Sequence, residues 1–427
     1  MEKTILLASF IFPERVEWFL NYLENKFSIT KDKVFCYKNL DDESKHILTF
    51  KLIIPENKSL NLKDLFPSAI PIHKKGDALY TINALNMIID LISDTVTRPT
   101  KEMLQIMMNA PVGDDVFKMD PTVNQLQEKA ASLFGMEDAL FFPSGTMANQ
   151  TAIKLHTQPG DKLICDKYAH IYNYEGGGVA FNSGVTCKLI DGNRGMYTAK
   201  QLQEAIAGRS DIHVPYSRLV CIENTTNKGG GACWEFSELK KIEKITRENN
   251  LSFHLDGARL FNALVAKNET PAQYGQLFDT ISICLSKGLG APVGSILLGS
   301  KHHIAKALRI RKLFGGGMRQ AGFLAAAGIF ALDHHVERLA EDHQKAQEIG
   351  EVLSTVSYVT KIEPIETNII IFYVDQKIGA DTFIQRMKDK NILLTPMGEG
   401  RIRIVTHLDY TDKMHQVLLD ELKNFQK

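Results

Sequence analysis

From about Leu91 onward, short apolar runs alternate with segments of helical period. The stretches Ala139–Phe142, Lys162–Cys165, Thr186–Ile190, Leu219–Glu223, Phe253–Asp256, Thr280–Leu285 and Ser295–Leu298 read as strands. Several are continuous in Ile, Leu, Val and Cys, as strands covered on both faces are. Helices are predicted between most of them. Asp120 caps a helix that has Pro121 at its first position and runs to Phe134. Thr198 and Gln201 form a capping box ahead of Leu202, and Ser237 is expected to cap the helix carrying Leu239, Ile242 and Ile245. Strand alternating with helix predicts a largely parallel α/β sheet, with ligand chemistry at the C-terminal ends of its strands.

The pattern changes beyond a long helical stretch from Gln320 to about Val356. Strands at Asn368–Val374 and Arg401–Thr406, with helices at Asp381–Lys390 and Lys413–Phe425, predict a smaller α+β domain. The first 85 or so residues carry another pattern. A strand Thr4–Ile11, a helix Glu14–Phe27, strands Lys33–Lys38 and Ile47–Ile54 and a weaker one at Leu79–Ile82 predict a small α+β unit. The expected domains are therefore 1–86, 87–330 and 331–427. Glycine triplets at Gly176–Gly178, Gly229–Gly231 and Gly315–Gly317 fall between elements and read as tight loops.

Composition narrows the class without deciding it. Among 427 residues, 23% are charged and 44% hydrophobic, which excludes disorder, collagen and coiled coil. Fifty basic side chains balance fifty acidic ones, so no net charge draws the chain to nucleic acid or an anionic membrane. The longest apolar run, Ala321–Leu332, has twelve residues, against roughly 18 needed to span a bilayer. Thr4–Pro13 lacks a basic flank and a small-residue cleavage site and is read as a buried strand rather than a signal peptide. Six scattered cysteines without metal spacing imply reduced thiols in a cytoplasmic protein. The pairs His302–His303 and His334–His335 fall on helices and read as solvated faces, with no metal expected.

Lys287 is the most informative single residue. It lies just past an apolar strand, at the mouth where partial desolvation favours a nucleophilic amine. Asp256 ends an earlier apolar strand. A lysine and a carboxylate at strand ends are the two groups that pyridoxal phosphate requires, one to bind its aldehyde and one to keep its ring nitrogen protonated. The turn Pro143-Ser-Gly-Thr-Met147 then opens a helix, so the amides of Gly145 and Thr146 and the Thr146 hydroxyl would face an anion at a positive helix end.

At these residues the sequence resembles the threonine aldolase branch of the pyridoxal-phosphate β-eliminating lyases. Matching stretches are Asp90-Leu-Ile-Ser-Asp-Thr-Val-Thr-Arg-Pro-Thr100, Gly113-Asp-Asp-Val-Phe117, Asp120-Pro-Thr122, Pro143–Met147, His170, Glu223-Asn-Thr225 and His254-Leu-Asp-Gly-Ala-Arg259. Leu285-Ser-Lys-Gly-Leu289, Ala291-Pro-Val-Gly-Ser295, Gly315-Gly-Gly-Met-Arg-Gln-Ala-Gly322 and Arg403-Ile-Val-Thr-His407 continue the match, which covers roughly 88–427. The resemblance implies an α/β fold of the fold type I, aspartate aminotransferase-like class. It adds a smaller C-terminal α+β domain to the large one and leaves the N-terminal unit as a fused extra.

Carried onto this chain, the resemblance assigns Lys287 to the cofactor aldehyde, Asp256 to the ring nitrogen and His170 to the ring face. Gly145, Thr146 and Ser286 are assigned to the phosphate. Ser93, Arg259 and Arg403 are assigned to the substrate carboxylate, where guanidinium forks match it bidentately. Tyr174 matches an active-site tyrosine. Arg319 and Lys312 lie in a segment that could reach a neighbouring subunit. Two departures stand out: Ile92 replaces an arginine, and Thr226 replaces a histidine thought to contact the substrate hydroxyl. The implied reaction is low-specificity cleavage of L-threonine or L-allo-threonine to glycine and acetaldehyde, by a homo-oligomer, dimer or tetramer. His170 is the candidate base by its place in the family. β-Elimination, racemisation, or a degenerate non-catalytic domain remain as alternatives.

Overall fold

The computed structural model describes residues 87–206 and 211–425, and before them the backbone strands Lys3–Ser9, Val34–Asn39, Ile47–Ile54, Pro71–Ile72 and Leu79–Thr81. The helix expected at Glu14–Phe27 lies outside the described residues. The chain forms two compact units, Met1–Ile88 and Ile89–Lys427. In the first, Lys3–Ser9 pairs antiparallel with Ile47–Ile54 and parallel with Leu79–Thr81 within a five-stranded sheet.

The second unit is built on a seven-stranded sheet. From edge to edge its strands are Asp138–Phe142, Ser295–Gly299, Thr280–Cys284, Ser252–Gly257, Ser217–Glu223, Lys162–Asp166 and Thr186–Ile190. Five of them run parallel in an unbroken block, while Ser295–Gly299 is antiparallel to both of its neighbours. The sheet is therefore mixed. Every residue of the interior strands Thr280–Cys284 and Ser295–Gly299 is buried, as helices on both faces demand.

Helix starts follow local chemistry. The Asp120 carboxylate accepts from the amides of Thr122 and Val123 at 3.1 and 3.0 Å, opening the helix Pro121–Phe134. The Thr198–Gln201 capping box forms as expected. Ser237 does not act as a cap. The helix begins at Phe236, and Glu235 takes the extended cap conformation with no side-chain hydrogen bond, so Ser237 lies inside the first turn. The long helical stretch divides at His335–Arg338 into Gly322–His334 and Leu339–Thr355. The first of these packs on Lys101–Met108 and Pro121–Phe134. Gly328 is needed there for space, since a Cβ would lie 2.7 Å from Leu285 Cδ1.

A smaller C-terminal domain carries an antiparallel sheet ordered Val359–Ile362, Ile369–Val374, Arg401–Val405, Thr395–Pro396. Residues at the start of the second unit are stitched to it. Ile89–Asp90 pairs in parallel with Ile392–Leu393, and the Val405 amide donates to Leu91 O at 3.0 Å. No helix among the described residues is long and apolar enough to cross a membrane.

Candidate active site

Lys287 lies in the connection between Thr280–Cys284 and the reversed strand, with its carbonyl accepting from Gly290 N at 2.8 Å and Thr97 Oγ1 at 3.1 Å. Its Nζ is 3.5 Å from Cys284 Sγ. Asp256 stands on the adjacent parallel strand, 3% exposed, and accepts from Asn149 Nδ2 at 2.9 Å and Ala258 N at 3.1 Å. Lys287, Asp256, His170, Gly145, Thr146 and Ser286 all line one cavity of about 300 Å³. The strand ends do converge on a single site.

One wall of that cavity is the start of the helix Gly145–His156, capped by Ser144 Oγ accepting from Met147 N at 3.2 Å. The amides of Gly145 and Thr146, first in the helix, have no acceptor among the described residues. They leave positive helix-end charge facing the cavity. Glycine is required at 145 because a Cβ would meet Cys284 Sγ at 2.7 Å.

His170 begins a short helix and is fixed by two carboxylates. Its amide donates to Glu223 Oε2 at 2.6 Å, and its ring Nδ1 is 3.1 Å from Glu175 Oε1. Burial alone would lower the imidazole pKa, but the Glu175 hydrogen bond and the charges of Asp256, Glu175 and Glu223 raise it overall. Glu223 is pushed up to about 7 by burial and by Asp256, against the amides of Asn227 and His170. Glu175 and Asp256 share the Asn149 amide group, at 2.9 Å each. Together with His170 they bring ligand atoms within 4.8 Å of one another, a donor set already bound up in hydrogen bonds.

The arginines occupy a different corner. Arg259 grips Asp94 with Nε and Nη2 at 2.8 and 2.7 Å, and the two side chains are only 6% and 0% exposed. Burial works to raise the Asp94 pKa, but Arg259, helped by Lys287 and Asn368, holds it at about 2. Arg259 Nη1 makes no hydrogen bond to the described residues. Arg403 has no carboxylate partner among them: Nη1 donates to Asn227 Oδ1 at 2.7 Å, Nη2 to Ile92 O at 2.9 Å, and its buried Nε has no partner. Burial and the Arg259 charge lower its pKa. Ser93, half-buried beside this pair, accepts from Thr95 N at 3.3 Å.

Tyr174 is 49% exposed, its ring centroid 5.6 Å from that of His170, with Lys228 Nζ 5.2 Å from the ring. Arg319 forms an exposed ion pair with Asp114. Thr226 does not line the cavity. Its hydroxyl donates to Arg194 O at 2.9 Å and the residue is 2% exposed, whereas its neighbour Asn227 reaches Arg403. Sequence reasoning passed over Asn149, Glu175, Glu223, Asp94 and Asn227. The placement of Asn149 on the buried face of a capped helix, and of Asp94 and Glu223 inside matched stretches, could have marked those three; Glu175 and Asn227 carried no such signal.

The sequence model described as Beta-eliminating lyase matches residues 90–377, more than half of the chain. The chain belongs to the beta-eliminating lyase family. Among members of this family, it is 44% identical over 322 residues to the "Low specificity L-threonine aldolase" of Escherichia coli strain K12, covering 75% of this chain and 94% of that protein. It is 38% identical over 329 residues to the "Low-specificity L-threonine aldolase 1" of Arabidopsis thaliana, covering 76% and 92%. A solved threonine aldolase from Leishmania major superposes with a TM-score of 0.70 at 21% identity, over 79% of this chain and 99% of that one. That likeness establishes the fold as type I, with a mixed central sheet and a C-terminal small domain.

Proposed function

We propose that this protein is a pyridoxal-phosphate-dependent, low-specificity L-threonine aldolase, cleaving L-threonine and L-allo-threonine to glycine and acetaldehyde. One observation carries the reading: Lys287 and Asp256 share a cavity with the unpaired amides of Gly145 and Thr146. That set fits the cofactor's three polar ends, namely aldehyde, ring nitrogen and phosphate. The names of the relatives point the same way. Bound there, pyridoxal phosphate supplies an electron sink for the bond broken at Cα.

The chain's own groups do the rest. Lys287 anchors the aldehyde end, and Asp256 holds a proton on the ring nitrogen. Gly145, Thr146 and Ser286 hold the phosphate, and His170 covers the ring face. The substrate carboxylate goes to Arg403, whose charge meets no carboxylate among the described residues, with Arg259 Nη1 and Ser93 beside it. Asp94 already neutralises Arg259, so the two arginines are unequal partners: one supplies charge and the other geometry. His170 is the candidate acceptor for the β-hydroxyl proton. Glu175 and Asp256 favour its charged form, so it acts as base only above its raised pKa. Thr226, with its hydroxyl committed to Arg194 O, offers the β-carbon little selection, which agrees with low specificity.

We also read the protein as a cytoplasmic homo-oligomer, dimer or tetramer. The exposed side chains of Leu104, Ile106, Met108, Phe117 and Met119, all in one short stretch, favour self-association. The five described cysteines are free, in keeping with a reducing compartment. The deciding assay measures glycine and acetaldehyde released from both threonine diastereomers by protein saturated with pyridoxal phosphate. Equimolar release supports the reading. Ammonia and an oxo acid in their place, or no turnover of either substrate, would overturn it.

A further inference from the structure

Behind Asp256 runs a buried chain of polar groups that the proposed chemistry does not use. The Asn149 amide nitrogen donates to Asp256 Oδ2 and Glu175 Oε1, both at 2.9 Å. Carboxylates can only accept, so the nitrogen must face them and the carbonyl oxygen Oδ1 must face away. Oδ1 lies 2.6 Å from Ser282 Oγ and 3.2 Å from His254 Nε2. Since Oδ1 only accepts, that contact is a hydrogen bond when His254 Nε2 carries the ring hydrogen.

The other ring nitrogen is then fixed as well. His254 is 0% exposed, and burial lowers its pKa to about 4 against the pull of Asp256, so it carries one ring proton. Its Nδ1 faces Thr280 Oγ1 at 2.9 Å and Thr280 O at 3.2 Å, and with the hydrogen on Nε2 it accepts from the nearer hydroxyl. Thr280 Oγ1 can accept in turn from His156 Nε2 at 3.0 Å. His156 is itself held neutral by burial and by the neighbouring His303. Each direction in this chain follows from the two carboxylates at its end.

We infer that His254 is a positioning residue: its Nε2–H locks the Asn149 amide so that nitrogen, and not oxygen, meets Asp256. The inference rests on the reading of Asp256 as the partner of the cofactor ring nitrogen. A rotated Asn149 would present its carbonyl to Asp256 at hydrogen-bond distance. Asp256 would then need a proton of its own to satisfy that contact, and a neutral carboxyl cannot hold a protonated ring nitrogen. Thr280 acts one step further back. Without its hydroxyl, His254 Nδ1 can take the hydrogen and donate to Thr280 O at 3.2 Å, leaving Nε2 bare toward Asn149.

The test uses the holoprotein and measures the rate of pyridoxal phosphate release into a trap, together with kcat and KM for L-threonine. His254→Leu should release cofactor roughly tenfold faster and lose about tenfold in kcat, with KM within about twofold, the scale of one lost buried hydrogen bond. His254→Gln, whose amide nitrogen overlies Nε2, should restore both to within about threefold, and Thr280→Val should fall between. A folded His254→Leu with wild-type release and kcat would overturn the inference. So would His254→Gln behaving no better than His254→Leu, since packing alone would then explain the loss. If the leucine variant does not fold, the glutamine and Thr280→Val variants decide. Asp256→Asn separates the two layers: wild-type behaviour in that variant, with His254 intact, would sink the reading of Asp256 itself.

Discussion

The two ends of the site are built on opposite plans. The lysine end belongs to the large domain: its groups come from neighbouring strand ends and one helix start, and its carboxylates are hydrogen-bonded almost to saturation. The arginine end is assembled from three distant pieces of chain, around Ile92–Asp94, Arg259 and Arg403. It retains spare donors in Arg403 Nε and Arg259 Nη1. One end is closed among its side chains, keeping the Gly145 and Thr146 amides free, and the other is left open in its side-chain donors. Saturation rigidifies, whereas unpaired buried donors seek an anion, and removing groups from each end should therefore break different things.

The largest effect belongs to Lys287→Ala. Turnover should fall below detection while the fold persists, and borohydride labelling with peptide mapping should find no other lysine modified. Asp256→Asn should lower kcat by several orders while cofactor still binds, because the lost charge acts mainly on the transition state. At the open end, Arg403→Leu should cost on the order of a hundredfold in kcat/KM with cofactor content unchanged and little loss of stability. Arg259→Leu should instead unfold readily. It strands the buried Asp94 charge, at about 3–5 kcal/mol measured by denaturant titration. Equal behaviour of the two arginine variants would erase the distinction between charge and geometry.

Two pH experiments sharpen the same comparison. The Asp94 pKa is about 2 in the folded chain against an ordinary 3.8. Its contribution, about 2 kcal/mol, is present above the unfolded value and lost as pH falls toward the folded one. Subtracting the acid stability curve of Asp94→Asn from that of the native chain should expose this difference between about pH 4 and 2. The smallest effect concerns His170. Its raised pKa places the acid limb of kcat/KM above 6.5, and Glu175→Gln should move that limb to lower pH. An unmoved limb would mean that another group accepts the proton.

Much of the closed end was legible in the sequence and much of the open end was not. Strands buried on both faces announce themselves as unbroken apolar runs, and capped helices announce their starts, which located Lys287, Asp256 and the Gly145 turn. The reversed strand did not stand out, because a buried run reads alike in both directions. The signal was the absence of a helix between Cys284 and Ser295, where a parallel return would need one. Ser237 misled because a serine two residues late looks the same in sequence as a cap. Asn149 hid among small residues on a buried helix face. The grip of Asp94 on Arg259 was hidden because no local pattern reveals which of two arginines is already neutralised.

The stitching of Ile89–Asp94 has a consequence for how the chain is made. This segment leaves the ribosome before the rest of the second unit, yet Arg259 follows Asp94 by 165 residues, Asn368 follows it by 274, and Arg403 follows Ile92 by 311. Until the final strand Arg401–Val405 emerges, Leu91 O lacks Val405 N and Ile92 O lacks Arg403, although Arg259 and Asn368 are already present for Asp94. Closing so long a loop makes the arginine corner the last part of the site able to assemble, after the lysine end has all its residues in hand. A nascent chain halted before residue 400 would thus hold every residue proposed to cradle the cofactor but lack Arg403 of the proposed substrate seat. Synthesis itself would enforce the order in which the enzyme becomes competent.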